Sequence, residues 1–273
     1  MSEIDYCYHT HTKRCGHATG EDEEYVLAAI RNGIKVLGFS DHVMLPGRSQ
    51  PRIRGEYEQF EDYVNSINAL KEKYKGQIEI HLGFEAEYYH DELDYYRDLL
   101  SSGKIEYLIL GQHCFYDKQG FHWYYSEVNP IGYVKRYLMD AIDGLRSGLF
   151  SYMCHPDLFS HWYGDPDNPE IAPLFEELCL TAKEMDIPLE INMGPSRYMG
   201  KPNLPKADRA HSQPNYPYPP FWKYAEKVGN KAIIGVDAHA PEHFDVSDYA
   251  WAKSYLDAYG LEEVTRLTFR KGK

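Results

Sequence analysis

Apolar residues fall along this chain in two alternating patterns. Short, nearly unbroken apolar runs stand at 4–9 (IDYCYH), 35–40 (KVLGFS), 78–85 (IEIHLGFE), 106–113 (EYLILGQH), 149–155 (LFSYMCH), 187–193 (IPLEINM) and 231–239 (KAIIGVDAH). Each has the length of a strand buried on both faces, as in a parallel sheet. Longer runs with amphipathic spacing lie between and after them, at 21–32, 56–74, 91–102, 130–147, 170–185, 219–228 and 246–257. These read as helices. Strand and helix in strict alternation predict a parallel sheet with outer helices. Seven strand–helix units fit a closed or nearly closed β/α barrel better than an open sheet. No Pro/Gly/Ser-rich linker divides the units, so residues 1–273 read as one domain. The Pro-rich stretch 202–220 is too long for a simple connection and follows the sixth strand, where a substrate loop is expected.

Composition narrows the partners. The chain has 273 residues, 42 acids and 29 bases, for a formal net charge of −13. Nucleic-acid binders present basic faces, so nucleic acid is not expected as the main partner. No apolar run reaches the ~18 residues of a membrane span, and no signal peptide opens the chain. The five cysteines form no CxxC pair, which predicts free thiols in a reduced, cytoplasmic protein. Cys7, Cys114 and Cys154 lie beside histidines on strands and read as small buried residues that alternate away from the site. The 25 tyrosines read mainly as packing at the edge of the core.

The chemistry lies in where the histidines and acids fall on this map. His9 and His11 end the first strand, and residues i and i+2 of a strand face the same side. His17 follows in the turn. His42 ends strand two, Glu85 strand three, His113 strand four and His155 strand five; Asp237 and His239 end strand seven. In a parallel barrel all these ends meet on one face, where such enzymes hold their sites. Imidazoles with a few carboxylates and no thiolate suit Zn, Fe, Mn or Co. Nine ligands are too many for one tetrahedral ion and suffice for two or three if one carboxylate bridges. Neighbouring ions are the arrangement used for phosphoester cleavage. Such a centre suits an anionic substrate even on an acidic protein, because bound ions invert the local field.

The motifs HTHT…CGHA, SDH, GFEAEY, GQH, HPD and GVDAH occur in this order from residue 9 to residue 239. As an ordered set they resemble the PHP (polymerase and histidinol phosphatase) family, most nearly its histidinol-phosphatase branch. The resemblance implies a distorted (β/α)7 barrel with three divalent transition-metal ions. It places His9, His11, Glu85 and Asp237 on the first ion. Glu85 bridges to a second, held also by His113 and His155, and His17, His42 and His239 hold the third. The implied reaction is hydrolysis of L-histidinol phosphate to L-histidinol and phosphate, by a hydroxide that bridges two ions and attacks phosphorus. Asp237 and Glu85 are the implied catalytic carboxylates, with Asp237 receiving the nucleophile's proton.

Arg197, after the sixth strand, is the expected phosphate clamp together with His42, since guanidinium fits phosphate with two parallel bonds. Lys201, Arg209 and His211 lie in the adjacent loop and are expected to cover the substrate. Asp157, Glu87 and Asp41 are the acids considered for the substrate ammonium. His81, His90, His122, His161 and His243 fit no ligand position. Another small phosphomonoester, or a phosphodiester cleaved on the same centre, is the alternative substrate. A non-catalytic metal module is disfavoured because no ligand position is missing.

Overall fold

The computed structural model describes residues 5–124, 129–163, 165, 168–194, 197 and 217–272. Its main sheet has eight strands, every pair of them parallel. In chain order the strands are β1 (Tyr6–Cys7), β2 (Val36–His42), β3 (Glu79–Ala86), β4 (Tyr107–Leu110), β7 (Tyr152–Met153), β8 (Leu189–Asn192), β9 (Lys231–Gly235) and β10 (Glu262–Glu263), and they lie side by side in that order. β5 (Cys114–Asp117) and β6 (Gly120–Trp123) form a separate antiparallel hairpin.

Seven α-helices flank the sheet among the described residues: α1 (Asp22–Arg31), α2 (Phe60–Lys73), α3 (Leu93–Ser101), α4 (Pro130–Arg146), α5 (Ala172–Glu184), α6 (Pro219–Val228) and α7 (Val246–Ala258). They match the seven amphipathic runs. Their ends follow local chemistry. Glu21 and Glu24 form a reciprocal capping box at α1, and the Asn129 side chain accepts from Gly132 N at α4, with Pro130 in the first turn. Gly229 closes α6 in the left-handed conformation. Among the described residues no helix is long and apolar enough to cross a membrane.

The sheet closes on itself at its carboxyl end. Beyond β1, Thr10 bridges to Ala238, beyond β9. His11 N donates to Ala238 O at 2.9 Å, and Ala238 N donates to His9 O at 3.2 Å. At the other end β10 takes the same edge of β9, pairing with Lys231 and Ala232. This is the distorted (β/α)7 barrel expected, with a wedge strand added at the bottom. Tyrosines fill the interior below the mouth: Tyr6, Tyr8, Tyr107 and Tyr152 pack with Val36, Ile109 and Ile233. Phe269 from the C-terminal segment stacks on Tyr107 at 5.1 Å. Tyr107 also donates to Tyr8 O at 2.9 Å, so its hydroxyl is not stranded in the core. The tyrosines therefore do more than edge the core.

Several strands are shorter than their apolar runs. β1 and β7 are paired over two residues each, although the runs at 4–9 and 149–155 predict longer ladders. The hairpin β5–β6 and the wedge β10 have no counterpart in the sequence reading. All five cysteines are free and buried.

The loop after β2 is pinned from inside. Arg54 is 1 % exposed. It donates to Val43 O at 2.8 Å, to the Gln50 side chain and to Glu87 Oε2 at 2.7 Å. A buried ion pair contributes little net stability while whole, but removing one partner leaves an uncompensated charge. Arg54→Met is expected to lower unfolding stability by about 3–5 kcal/mol, read as a shift in the urea midpoint. A midpoint within experimental scatter of the parent's would show that Glu87 finds another partner or takes up a proton at little cost.

Candidate metal centre

The barrel mouth brings all nine expected ligands together. Eight of them, all but the fully buried His9, line a cavity of about 320 Å3. Glu85 is the hub. Its Oε2 stands 3.5 Å from His9 Nε2, 3.4 Å from His11 Nε2 and 3.2 Å from His42 Nδ1. Its Oε1 stands 3.4 Å from His113 Nε2 and 2.7 Å from His155 Nε2. Asp237 Oδ1 faces His9 Nε2 at 3.5 Å, His11 Nε2 at 3.2 Å and His239 Nδ1 at 3.3 Å. His17 Nε2 and His239 Nε2 are 3.0 Å apart.

These spacings test whether the residues suit metal ions. Two donors held about 2.0–2.1 Å from one tetrahedral ion stand roughly 3.3 Å from each other. Most contacts around Glu85 and Asp237 lie near that separation, beyond the ~2.9 Å of a good N–H···O bond. His9 Nε2, both ring nitrogens of His11 and His42 Nδ1 are buried with no hydrogen-bond partner. Orphaned buried nitrogens are costly in a protein and are the condition a metal ligand is in before its ion arrives. The donor set is imidazole and carboxylate, which suits divalent transition metals.

The far sides of three rings are backed by carboxylates. His9 Nδ1 is 2.8 Å from Glu190 Oε1, His113 Nδ1 is 3.2 Å from Glu87 Oε1, and His11 Nδ1 faces Asp41 Oδ1 at 3.6 Å. Such partners orient a ring and direct its other nitrogen inward. Glu190 also accepts from His155 N at 3.0 Å and from Asn192 Nδ2 at 2.8 Å. Neither Glu190 nor Asn192 figures among the expected site residues. The available signal was an acid inside the apolar run IPLEINM, since a fully buried glutamate needs a partner.

Electrostatics divides the histidines. Burial pulls His11 down, but the nearby carboxylates of Asp237, Asp41 and Glu85 outweigh it and lift the ring to about 9. His9 and His113 are likewise depressed by burial and raised more by Glu190 and Glu85 respectively. His17, His42 and His239 go the other way: burial holds all three below the ordinary value, His239 at about 3. Burial raises Glu85 and Asp237, yet the surrounding imidazoles win and keep both carboxylates well below their ordinary values.

The ligands do not all sit on strand ends. His113 lies three residues past β4, His155 two past β7, and Asp237 and His239 beyond β9. His155 and Asp237 take positive φ angles of 32° and 52°, a strained conformation for non-glycine residues and one met at functional sites. Strict i, i+2 alternation therefore does not deliver Asp237 and His239. Cys154 corrects a further expectation. Instead of turning away it sets Sγ 3.1 Å from Glu85 Oε1, because pairing in β7 stops at Met153 and alternation is lost at the turn.

The acids considered for the substrate ammonium are committed elsewhere. Asp157 Oδ2 accepts from Tyr218 N at 2.6 Å and Trp222 Nε1 at 2.8 Å. Glu87 holds Arg54 and His113, and Asp41 accepts from Thr12 and from His42 N. None of the three lines the cavity. Arg197 Nη2 donates to Val236 O at 2.6 Å and Asp237 O at 2.8 Å, bracing the turn that displays Asp237. Its Nε and Nη1 are buried without a partner. Lys201, Arg209 and His211, with most of the 197–220 loop, lie outside the described residues.

A parallel barrel with imidazoles and carboxylates gathered at its carboxyl mouth is the architecture of a metal-dependent hydrolase. The chain belongs to the PHP domain family, whose model matches residues 8–194. A Deinococcus radiodurans protein named as a probable histidinol-phosphatase is 30% identical over 240 residues, 85% of each chain. A Schizosaccharomyces pombe protein of the same name is 23% identical over 279 residues, 93% of this chain and 86% of that one. The fold also matches the crystal structure of histidinol phosphate phosphatase from Lactococcus lactis, complexed with zinc, L-histidinol and phosphate. The TM-score is 0.72 at 18% identity, over 99% of this chain and 98% of that one.

The raised histidines make a pH prediction. A ring must be neutral to ligate, so a metal ion bound by His11 would displace its proton at any pH below about 9. Zinc affinity is expected to fall as pH falls, and titration of metal-free protein with zinc at neutral pH should release protons to the buffer. Calorimetry in buffers of different ionisation enthalpy reads the number directly. Zinc binding with no proton release would refute the assignment of His11 as a charged ring in the metal-free site.

Proposed function

We propose that this protein is a divalent-metal-dependent phosphatase that hydrolyses L-histidinol phosphate to L-histidinol and phosphate. The observation that carries the reading is the donor cluster around Glu85 and Asp237, with its orphaned buried nitrogens at metal-ligand spacing. The names of the relatives, and the L-histidinol and phosphate held by the Lactococcus protein, support the choice of substrate.

On this reading the donors are divided into three sets. His9, His11, Glu85 and Asp237 form one; Glu85 with His113 and His155 forms a second; His17, His42 and His239 form a third. Zn, Mn and Fe all suit these ligands. Divalent ions held there supply the charge that makes water nucleophilic near neutral pH and offsets the phosphoryl oxygens. Asp237, kept ionised by His9 and His239, is placed to take a proton from the attacking water. Glu85 has an oxygen toward each of the first two sets and holds them in register. His42, with its ring neutral, is the phosphate contact on this reading. Ile53, Trp123 and Leu158 form the apolar wall of the cavity and suit the organic half of the substrate.

Phosphate release from L-histidinol phosphate, beside a panel of small monoesters and one diester, tests the reading. Strong preference for L-histidinol phosphate, abolished by chelator, is the expected result. Indiscriminate release would keep the centre and reject the substrate. His17→Ala is expected to cost about one ion per chain by elemental analysis and to collapse turnover. Full metal content and activity in that variant would make His17 a turn residue only.

A further inference from the structure

The loop between β2 and α2 carries three arginines close in sequence, and the structure employs two of them. Arg48 pairs with Asp91 and Glu92, and Arg54 with Glu87. Arg52 lies between them and makes no ion pair or hydrogen bond among the described residues. It is exposed, and it is the only lysine or arginine among the described residues that line the metal-donor cavity. Its backbone is held at φ 70°, a conformation that costs energy in any residue with a Cβ. The loop is pressed against the turn that carries His17: a Cβ at Gly16 would come within 3.3 Å of Arg52 Cα. The packing holds Arg52 at the cavity wall beside the turn that carries His17.

The cavity has an unmet need on that side. Its acids, Glu85 and Asp237, face imidazoles. Arg197 has given one amino group to backbone carbonyls and does not line the cavity. A phosphomonoester carries about −1.5 to −2 charges near neutrality and three terminal oxygens. Among the described residues that line the cavity, no lysine or arginine other than Arg52 is available to those oxygens. A guanidinium at the wall, with no acid paired to it among the described residues, matches two oxygens at once.

We propose that Arg52 is a phosphate-binding residue, gripping the phosphoryl group of the substrate, and of inorganic phosphate after cleavage, from the mouth side of the cavity. This deepens the phosphatase reading and rests on it for the identity of the ester.

The strained backbone gives the test a sign that a structural role does not share. Arg52→Gly removes the guanidinium and relieves φ at once, so the melting temperature should hold or rise. The Kd of inorganic phosphate for the zinc-loaded full chain, measured by calorimetry, should rise about tenfold or more, with zinc content unchanged. Arg52→Lys keeps the charge without the fork and should fall between the two. Phosphate binding within twofold of the parent's in Arg52→Gly overturns the proposal, as does a parent that binds no phosphate. Weaker phosphate binding accompanied by lost zinc or a lower melting temperature also overturns it, because Arg52 would then be a brace for the His17 turn. Arg52-dependent phosphate binding in a protein that leaves L-histidinol phosphate intact sustains the clamp and rejects only the substrate.

Discussion

Everything at the barrel mouth is arranged around one buried carboxylate. Glu85 is 1 % exposed and stands within 3.5 Å of five imidazoles. A lone carboxylate at such a depth is untenable, so it must be surrounded by groups that carry or accept positive charge. Its backbone is held on both sides, paired with His42 in β2 and Ile109 in β4. That double pairing makes Glu85 the fixed point against which the other ligands are placed. The closure between Thr10 and Ala238 then brings the two ends of the chain's strand order together, and with them His9, His11 and Asp237.

Buried carboxylates also need room, and the chain supplies it by leaving out side chains. A Cβ at Gly111 would lie 2.0 Å from Glu85 Oε1, and one at Gly235 would lie 1.7 Å from Glu190 Oε1. Neither glycine is required for a turn: both adopt ordinary negative φ or extended backbone, since neither is among the residues with positive φ. They are glycines because an acid from a neighbouring strand occupies the place their side chains would take. In the sequence these residues stand in GQH and GVDAH beside ligands, where they look like part of a motif. Their reason is steric and belongs to the adjacent strand.

This separates what was legible in the sequence from what was not. The helices were legible because amphipathic spacing is a property of one segment, and all seven runs became helices. The clustering of the nine candidate donors was legible because acids and histidines at the ends of apolar runs are costly anywhere else. Strand lengths were not, since pairing depends on the neighbour: β1 and β7 stop after two residues where the chain bends into the site. The hairpin β5–β6 hid between β4 and α4 because part of it is wet, with Phe121 and Trp123 exposed. Glu190 was missed for the opposite reason. It sits in the middle of a buried strand, and only its contact with His9 on a strand far away in sequence shows why it is there. Arg52 was missed because nothing in a loop arginine's sequence context tells which cavity it faces.

The charge pattern of the floor shows how the site can exist before any ion is bound. His9, His11 and His113 are driven toward the protonated form by the acids around them, while His17, His42 and His239 are driven toward the neutral form. Protons on the first three balance Glu85 and Asp237 in the way metal charge does. The carboxylates are thus balanced by the rings around them, and the candidate donors stand at metal-ligand spacing. The neutral trio has no such balance to give up. A metal ion bound there would displace few protons, whereas one bound at the Glu85–Asp237 floor would exchange protons for metal within the same carboxylate field. Acid would thus compete with metal most strongly at the carboxylate-rich floor and least at the outer trio.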